Sequence, residues 1–143
     1  LYYYMPQTPI DFKRIFQAMP VIGMILLPDS PNFTIAEVTD ELLRFSNAKK
    51  EDIVGRSFFH FFDNNPRDQE VFMNSFSKII STGEPDRIEA QRYDLKNANG
   101  VSEEFYWSPL STPVFNGEGK VEYIVHVSEN ITEKVILSMY LKI

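Results

Sequence analysis

The stretch over residues 91–134 constrains the fold of this chain more than any other part of the sequence. It covers most of three strand-like runs, expected at about residues 87–95, 103–114 and 120–128. Two turn sequences separate the runs, Asn97-Ala98-Asn99-Gly100 and Asn116-Gly117-Glu118-Gly119. The last run continues through Glu129-Asn130-Ile131-Thr132 into a helical tail. A sheet whose last strand leads into an outgoing helix is suited to passing on a conformational state, and nothing here indicates bond-making chemistry.

The first half of the chain predicts several helices and one hairpin. Thr8-Pro9-Ile10-Asp11 predicts a helix start with Thr8 as the cap. Residues 21–27 and 33–38 predict two strands joined by a turn, and short helices are expected from Thr39 and at residues 49–53. Residues 67–81 predict the longest helix, with Gly83 after its end. Helices between two groups of strands are typical of an α+β domain with an antiparallel sheet.

Composition narrows the classes of function. The 143 residues fit one domain, and 43% hydrophobic residues are enough for a core. A net charge of −6 without a basic stripe argues against a nucleic-acid partner and against direct membrane contact. The absence of cysteine excludes disulfides, thiolate metal sites and cysteinyl photochemistry. Because the chain does not begin with Met, we expect it to be part of a longer protein, with any membrane anchor outside it.

Several motifs resemble the PAS sensor domain family over roughly residues 10–135. Ile53-Val54-Gly55-Arg56 is similar to the family's turn after its short helices, and Asn116-Gly117-Glu118-Gly119 to the turn before its last strand. Asn130-Ile131-Thr132 resembles the closing Asp-Ile-Thr motif with Asn for Asp, so the family's salt bridge to a basic residue loses its charge here. The resemblance implies a five-stranded antiparallel sheet in the order 2-1-5-4-3, with short helices on one face and flanking terminal helices.

Two further motifs, Arg92-Tyr93-Asp94-Leu95 and Tyr106-Trp107-Ser108-Pro109-Leu110, resemble a PAS subgroup found in bacterial sensor and hybrid histidine kinases. That resemblance implies a cytoplasmic, non-catalytic sensory domain of a two-component phosphorelay, with a kinase as output domain in the same chain. The expected organisation is an extension over residues 1–9, the PAS domain over 10–132 and the start of a signalling helix over 133–143.

Strand alternation places Ile124, His126 and Ser128 on one face of the last strand. Resemblance to flavin-binding PAS relatives implies that this face points into a cavity. The expected ligand contacts are Arg92, Trp107, Ser111, Ile124, His126 and Ser128. Such a set suits an anionic or aromatic ligand. In the alternative interpretation Trp107 only fills the core, Arg92 pairs with a local carboxylate and His126 bonds to backbone.

The ligand itself cannot be named from the sequence. Haem is not expected, because the only histidines are His60 and His126 and the predicted helix at residues 67–81 contains neither. A cysteinyl-flavin adduct is not expected without cysteine, and no metal site is predicted.

Signal coupling is assigned to Asn130, Ile131 and Thr132, between the last strand and the tail helix. The outer sheet face, with Tyr123, Val125 and Val127, is half apolar, and the N-terminal helix can cover it within the chain or across a homodimer. The apolar tail predicts either a dimeric coiled coil or a helix folded back onto the sheet. A ligand-free dimerisation module remains an alternative function, and an enzyme is a weaker third because no nucleophile and base cluster supports it.

Overall fold

The structure, a computed structural model, describes residues 8–62, 65–96 and 99–142. Residues 1–7 of the predicted N-terminal extension and residues 97 and 98 of the predicted first turn lie outside this part of the chain. Within it, the helices are α1 (Phe12–Ala18), α2 (Asp40–Ser46), α3 (Phe58–Phe61), α4 (Pro66–Thr82) and α5 (Thr132–Leu141), with a 3₁₀ turn at Lys50–Asp52. The strands are β1 (Ile22–Leu26), β2 (Ile35–Val38), β3 (Asp86–Arg87), β4 (Gln91–Arg92), β5 (Leu95–Lys96), β6 (Ser102–Glu103), β7 (Tyr106–Phe115) and β8 (Val121–Asn130).

The strands form an antiparallel sheet in the order β2-β1-β8-β7-β3, with β4 also paired to β7. This confirms the α+β class with an antiparallel sheet. The predicted third strand is not continuous, because two short strands, β3 and β4, take its place beside β7. The long β7–β8 hairpin closes at the predicted turn, where the Gly119 amide donates to the Asn116 carbonyl at 3.0 Å. Strands β5 and β6 form a separate ribbon.

Local caps set where the helices begin. Thr39 caps α2 as expected: its Oγ1 accepts from the Leu42 amide at 3.2 Å and donates to the Val21 carbonyl at 2.6 Å. Helix α4 matches its prediction, with Gly83 at its end in the left-handed region (φ 69°). The expected Thr8 cap of α1 is wrong. Asp11 caps this helix instead, because the helix begins at Phe12 and the Asp11 carboxylate accepts from the Arg14 amide at 3.1 Å.

The core lies between the inner face of the sheet and helices α2, α3 and α4. Alternate residues of β1 and β8, such as Leu26 and Ile124, are fully buried there. They pack with four fully buried phenylalanines, Phe33, Phe58, Phe72 and Phe76. Burial of each such side chain contributes about 1.5–3 kcal/mol. These aromatic residues therefore mainly form the hydrophobic core, and any cavity must lie between them.

The outer face of the sheet is only partly covered. Tyr123 is 36% exposed, while Val125 and Val127 are half-buried. Neither α1 nor α5 contains a buried residue, and Phe12 of α1 remains 73% exposed. The tail helix therefore does not fold back onto the sheet in this chain. The predicted half-apolar outer face of the sheet is therefore present, and it is exposed enough for another protein surface to pack against it.

One carboxylate is buried on this outer side. Glu37 of β2 is 5% exposed and pairs with Lys50 at 2.8 Å and with Lys13 of α1 at 3.6 Å. Burial by itself raises the pKa of Glu37, but hydrogen bonds from Lys50 and the Val38 amide outweigh it and keep this pKa below its ordinary value. The ion pair links α1 to the edge strand.

Candidate functional site

A cavity of about 80 Å³ lies between the inner sheet face and the helices. Strands β1, β7 and β8 form its floor, and helices α2, α3 and α4 form its roof. Its lining residues are Ile22, Met24, Leu42, Phe45, Ser46, Phe58, Phe61, Phe62, Phe72, Gln91, Tyr93, Leu95, Trp107, Pro109, His126 and Ser128. None of these described residues carries a formal charge at neutral pH when His126 is neutral. The cavity therefore suits an uncharged ligand. Of the two ligand types that the sequence suggested, anionic or aromatic, an anionic one has no cation to pair with among these lining residues.

His126 lines the cavity and is 4% exposed. Three phenylalanine rings contact its imidazole, with centroids 5.3 Å away for Phe58, 5.7 Å for Phe76 and 5.9 Å for Phe72. Burial in this apolar setting lowers the pKa of His126 to about 4, so the imidazole is neutral at physiological pH. Its Nδ1 lies 2.7 Å from the Ser111 hydroxyl, which the neighbouring strand places directly opposite. The alternative of a bond to backbone is wrong for His126.

Trp107 forms one wall of the cavity and is 8% exposed. Its indole Nε1 donates to the Tyr93 carbonyl at 3.3 Å, and the Phe45 ring meets it edge-on at 5.2 Å. Tyr93 in turn stacks on Phe62 at 4.6 Å. Trp107 is thus both a cavity wall and the contact that joins β7 to the segment after β4.

Arg92 does not reach the cavity, which corrects the sequence-based expectation. Its guanidinium is 55% exposed and bonds the Asp94 carboxylate at 3.1 Å, with Glu104 at 3.6 Å. The hydrogen bond to Asp94, despite some opposing desolvation, raises the pKa of Arg92, and the reciprocal bond lowers the pKa of Asp94. For Arg92, the alternative of a local carboxylate partner is the right one.

A β-bulge explains the error. Residues 88–90 lie opposite only Ser108 and Pro109, so the chain gains one residue between β3 and β4. Because side chains alternate between faces, one extra residue exchanges the inward and outward positions that follow. Gln91 therefore pairs with Trp107 and faces the cavity, while Arg92 pairs with Tyr106 and faces out.

The other expected contacts divide into three groups. Ser128 lines the cavity beside His126 on β8. Ser111 is 1% exposed and reaches the cavity only through its bond to His126. Ile124 shares their face but is fully buried in the core and does not line the cavity. Sequence reasoning missed Gln91, Tyr93 and Leu95 as lining residues, although their alternate spacing would have indicated them in the correct register.

The three expected coupling residues form a latch between the start of β7 and the start of α5. The Tyr106 amide donates to Thr132 Oγ1 at 2.9 Å, and the Ile131 amide donates to the Tyr106 carbonyl at 2.8 Å. Thr132 Oγ1 donates to Asn130 Oδ1 at 2.6 Å, and the Thr132 amide donates to the same oxygen at 3.1 Å. Asn130 thus uses its amide oxygen locally. We call the contacts of Asn130, Ile131 and Thr132 with Tyr106 the α5 latch.

The described residues contain no cluster of three or more His, Asp or Glu side chains that could bind a metal ion. Across the same residues, every helix is too short or too polar to cross a lipid bilayer.

The chain belongs to the PAS domain family, since the family model for this domain matches residues 22–133. No curated protein sequence matches it significantly. Membership confirms the resemblance that the turn and closing motifs indicated.

Solved structures with this fold include light-oxygen-voltage (LOV) receptors and a channel domain. An RNA-binding LOV receptor superposes with a TM-score of 0.67 at 16% identity, covering 92% of this chain and 35% of that one. The LOV protein of Rhodobacter sphaeroides gives 0.64 at 13% identity, covering 83% and 64%. The PAS domain of the fruit-fly ELK potassium channel gives 0.60 at 14% identity, covering 85% and 94%. At these identities the similarity shows the fold alone, and the chain spans less than two thirds of the first two proteins.

Proposed function

We propose that this PAS domain is the sensory input domain of a bacterial two-component sensor histidine kinase, and that a small molecule in the cavity is its signal. The Arg92-Tyr93-Asp94-Leu95 motif and the motif from Tyr106 to Leu110 support the kinase context through their resemblance to that subgroup. In this proposal the domain is cytoplasmic and non-catalytic, and a kinase in the same chain is its output.

One observation carries the proposal: the cavity and the α5 latch share adjacent residues of β7. Trp107 lines the cavity, and its neighbour Tyr106 bonds both Ile131 and Thr132 at the start of α5. A ligand that displaces the indole moves the backbone that holds the helix start. Such a ligand biases the output only if it binds one arrangement of the latch more tightly than the other.

Native mass spectrometry of the purified domain, beside a denatured sample, tests this function directly. A reproducible extra mass that is lost on denaturation supports a ligand sensor. The fluorescence of Trp107, the only tryptophan of the chain, gives a second readout because this ring lines the cavity. Absence of both bound mass and any fluorescence response to a metabolite extract contradicts the sensor role.

A ligand-free homodimerisation module is the second candidate. The exposed apolar residues of α1 and α5 favour it, since Phe12 is 73% exposed and Leu137 is 57% exposed. In that case the mass spectrum contains a dimer without added mass. Replacement of Phe12 by Ser should then dissociate the dimer, whereas a ligand sensor should keep its bound mass in this variant.

A further inference from the structure

The hydrogen-bond partners of Ser111 determine which nitrogen of His126 carries its proton. The Ser111 hydroxyl is buried, and its only hydrogen-bond partner among the described residues is Nδ1 of His126 at 2.7 Å. A buried hydroxyl proton needs an acceptor. If Nδ1 carried the proton, the serine would have to accept and its own proton would lack a partner. The serine therefore donates to Nδ1, and the neutral imidazole carries its proton on Nε2.

His126 lines the cavity. Its Nε2–H group has no hydrogen-bond partner among the described residues. Every fully enclosed side-chain nitrogen or oxygen of this part of the chain does have a partner. Nε2 therefore keeps open space beside it, and the cavity is the open space that His126 lines. A ligand acceptor at this point forms a net favourable hydrogen bond with this donor, which should raise the affinity about three- to tenfold.

The remaining wall is uncharged and mostly aromatic or aliphatic, and the polar side chains of Ser46, Gln91 and Ser128 also line it. Phe58 and Phe72 contact the His126 ring, and Trp107 forms the side of the cavity. The volume of about 80 Å³ is roughly half that of an engineered apolar cavity, about 150 Å³, that binds benzene in another protein. The ligand part inside is accordingly compact, and a larger ligand must extend beyond the cavity.

We propose that the cavity selects a compact, uncharged, mostly apolar ligand whose hydrogen-bond acceptor, such as a carbonyl oxygen, bonds to Nε2–H of His126. This assignment rests on the proposed ligand-binding role of the cavity. It excludes carboxylates and phosphates as the group inside the cavity, because no cation lines it among the described residues.

The proton position is measured first, without any variant or ligand. A long-range ¹H–¹⁵N correlation spectrum of the ¹⁵N-histidine domain at about pH 7 distinguishes the two neutral tautomers. The chain has two histidines, so a His60→Gln variant assigns the signals of His126. We expect a neutral His126 with its proton on Nε2. A proton on Nδ1, or a charged ring, overturns the proposal.

Cyclopentanone and cyclopentane then serve as matched probes with and without a carbonyl oxygen. We expect cyclopentanone to shift the Nε2 signal saturably. The ratio of cyclopentanone to cyclopentane affinity, followed by the Trp107 indole signal, should be about three- to tenfold higher in the wild type than in the Ser111→Ala/His126→Phe double variant. That variant replaces both partners by apolar groups, which avoids a new unpaired polar atom.

The failures of the two proposals are distinguishable. If both probes bind and the ratio is the same in the two proteins, the cavity binds ligands but the acceptor assignment is refuted. If neither probe binds and no bound mass is found in the purified domain, the ligand-binding role itself fails, and the ligand class with it.

Discussion

The buried imidazole of His126 predicts a specific loss of stability in acid. Its pKa in the folded state is about 4, against an ordinary value of 6.5. As the pH falls, the unfolded chain therefore binds a proton at this residue before the folded chain does, and folding becomes less favourable. The stability that the neutral, buried imidazole contributes is fully present above about pH 6.5 and is lost progressively as the pH falls to about 4.

The magnitude follows from the two pKa values. Between about pH 7.5 and about pH 5, the free energy of unfolding should fall by about 2 kcal/mol through His126 alone, and by about 3 kcal/mol at about pH 4. Carboxylates with lowered pKa values, such as Glu37 and Glu129, add losses of the same sign at low pH. The effect of His126 must therefore be obtained as a difference between two proteins.

The Ser111→Ala/His126→Phe double variant provides that difference. Urea unfolding of both proteins is followed by circular dichroism from about pH 7.5 to about pH 5. We expect the stability of the variant relative to wild type to rise by about 2 kcal/mol over this range, because the variant lacks the titrating ring. A His60→Gln variant controls for the loss of an imidazole from the exposed surface.

A relative stability that stays constant within about 0.5 kcal/mol across this range would refute the reasoning. It would mean that the ring is hydrated or protonated in the folded state. The same rise in the His60→Gln control would also refute it, since the response would then not belong to the buried ring.

Two further predictions concern the outer ion pair and the latch. Glu37→Gln should lower the free energy of unfolding by about 1–3 kcal/mol, because the buried carboxylate that bonds Lys50 and the Val38 amide is lost. Glu41→Gln, at the exposed pair with Arg44, should cost clearly less. In the sensor histidine kinase proposed as the parent protein, Asn130→Ala should change kinase output while the isolated domain keeps its circular dichroism spectrum, because only local bonds to Thr132 are lost.

Chemical denaturation measures the first prediction, and equal losses in the two glutamate variants would contradict it. Autophosphorylation of the parent protein measures the second. Glu133→Gln, on the same exposed helix, is the matched control for a change near the latch. Unchanged kinase response in Asn130→Ala, with the control also unchanged, would remove Asn130 from the coupling role.

Local chemistry made much of the fold predictable. Thr39 and Gly83 mark helix ends by properties of single residues, a capping hydroxyl and a left-handed backbone. The turn from Asn116 to Gly119 fixes the long hairpin, and two-residue alternation then places His126 and Ser128 on one face. Asn130, Ile131 and Thr132 could be singled out because they lie at the junction of strand and helix, but the contacts with Tyr106 join segments far apart in the chain. The caps, the turn and the alternation depend on neighbours within a few positions along the chain.

The sequence by itself therefore determined most of the helices and strands, the class of fold and the strand that carries His126. The tertiary structure decided the register in which β3 and β4 pair with β7. The bulge at residues 88–90 turns Gln91 inward and Arg92 outward. The tertiary structure also decided that the Ser111 hydroxyl meets His126 across two strands. Both outcomes depend on pairing between distant segments, and an alternation rule cannot count a residue that the partner strand leaves unpaired.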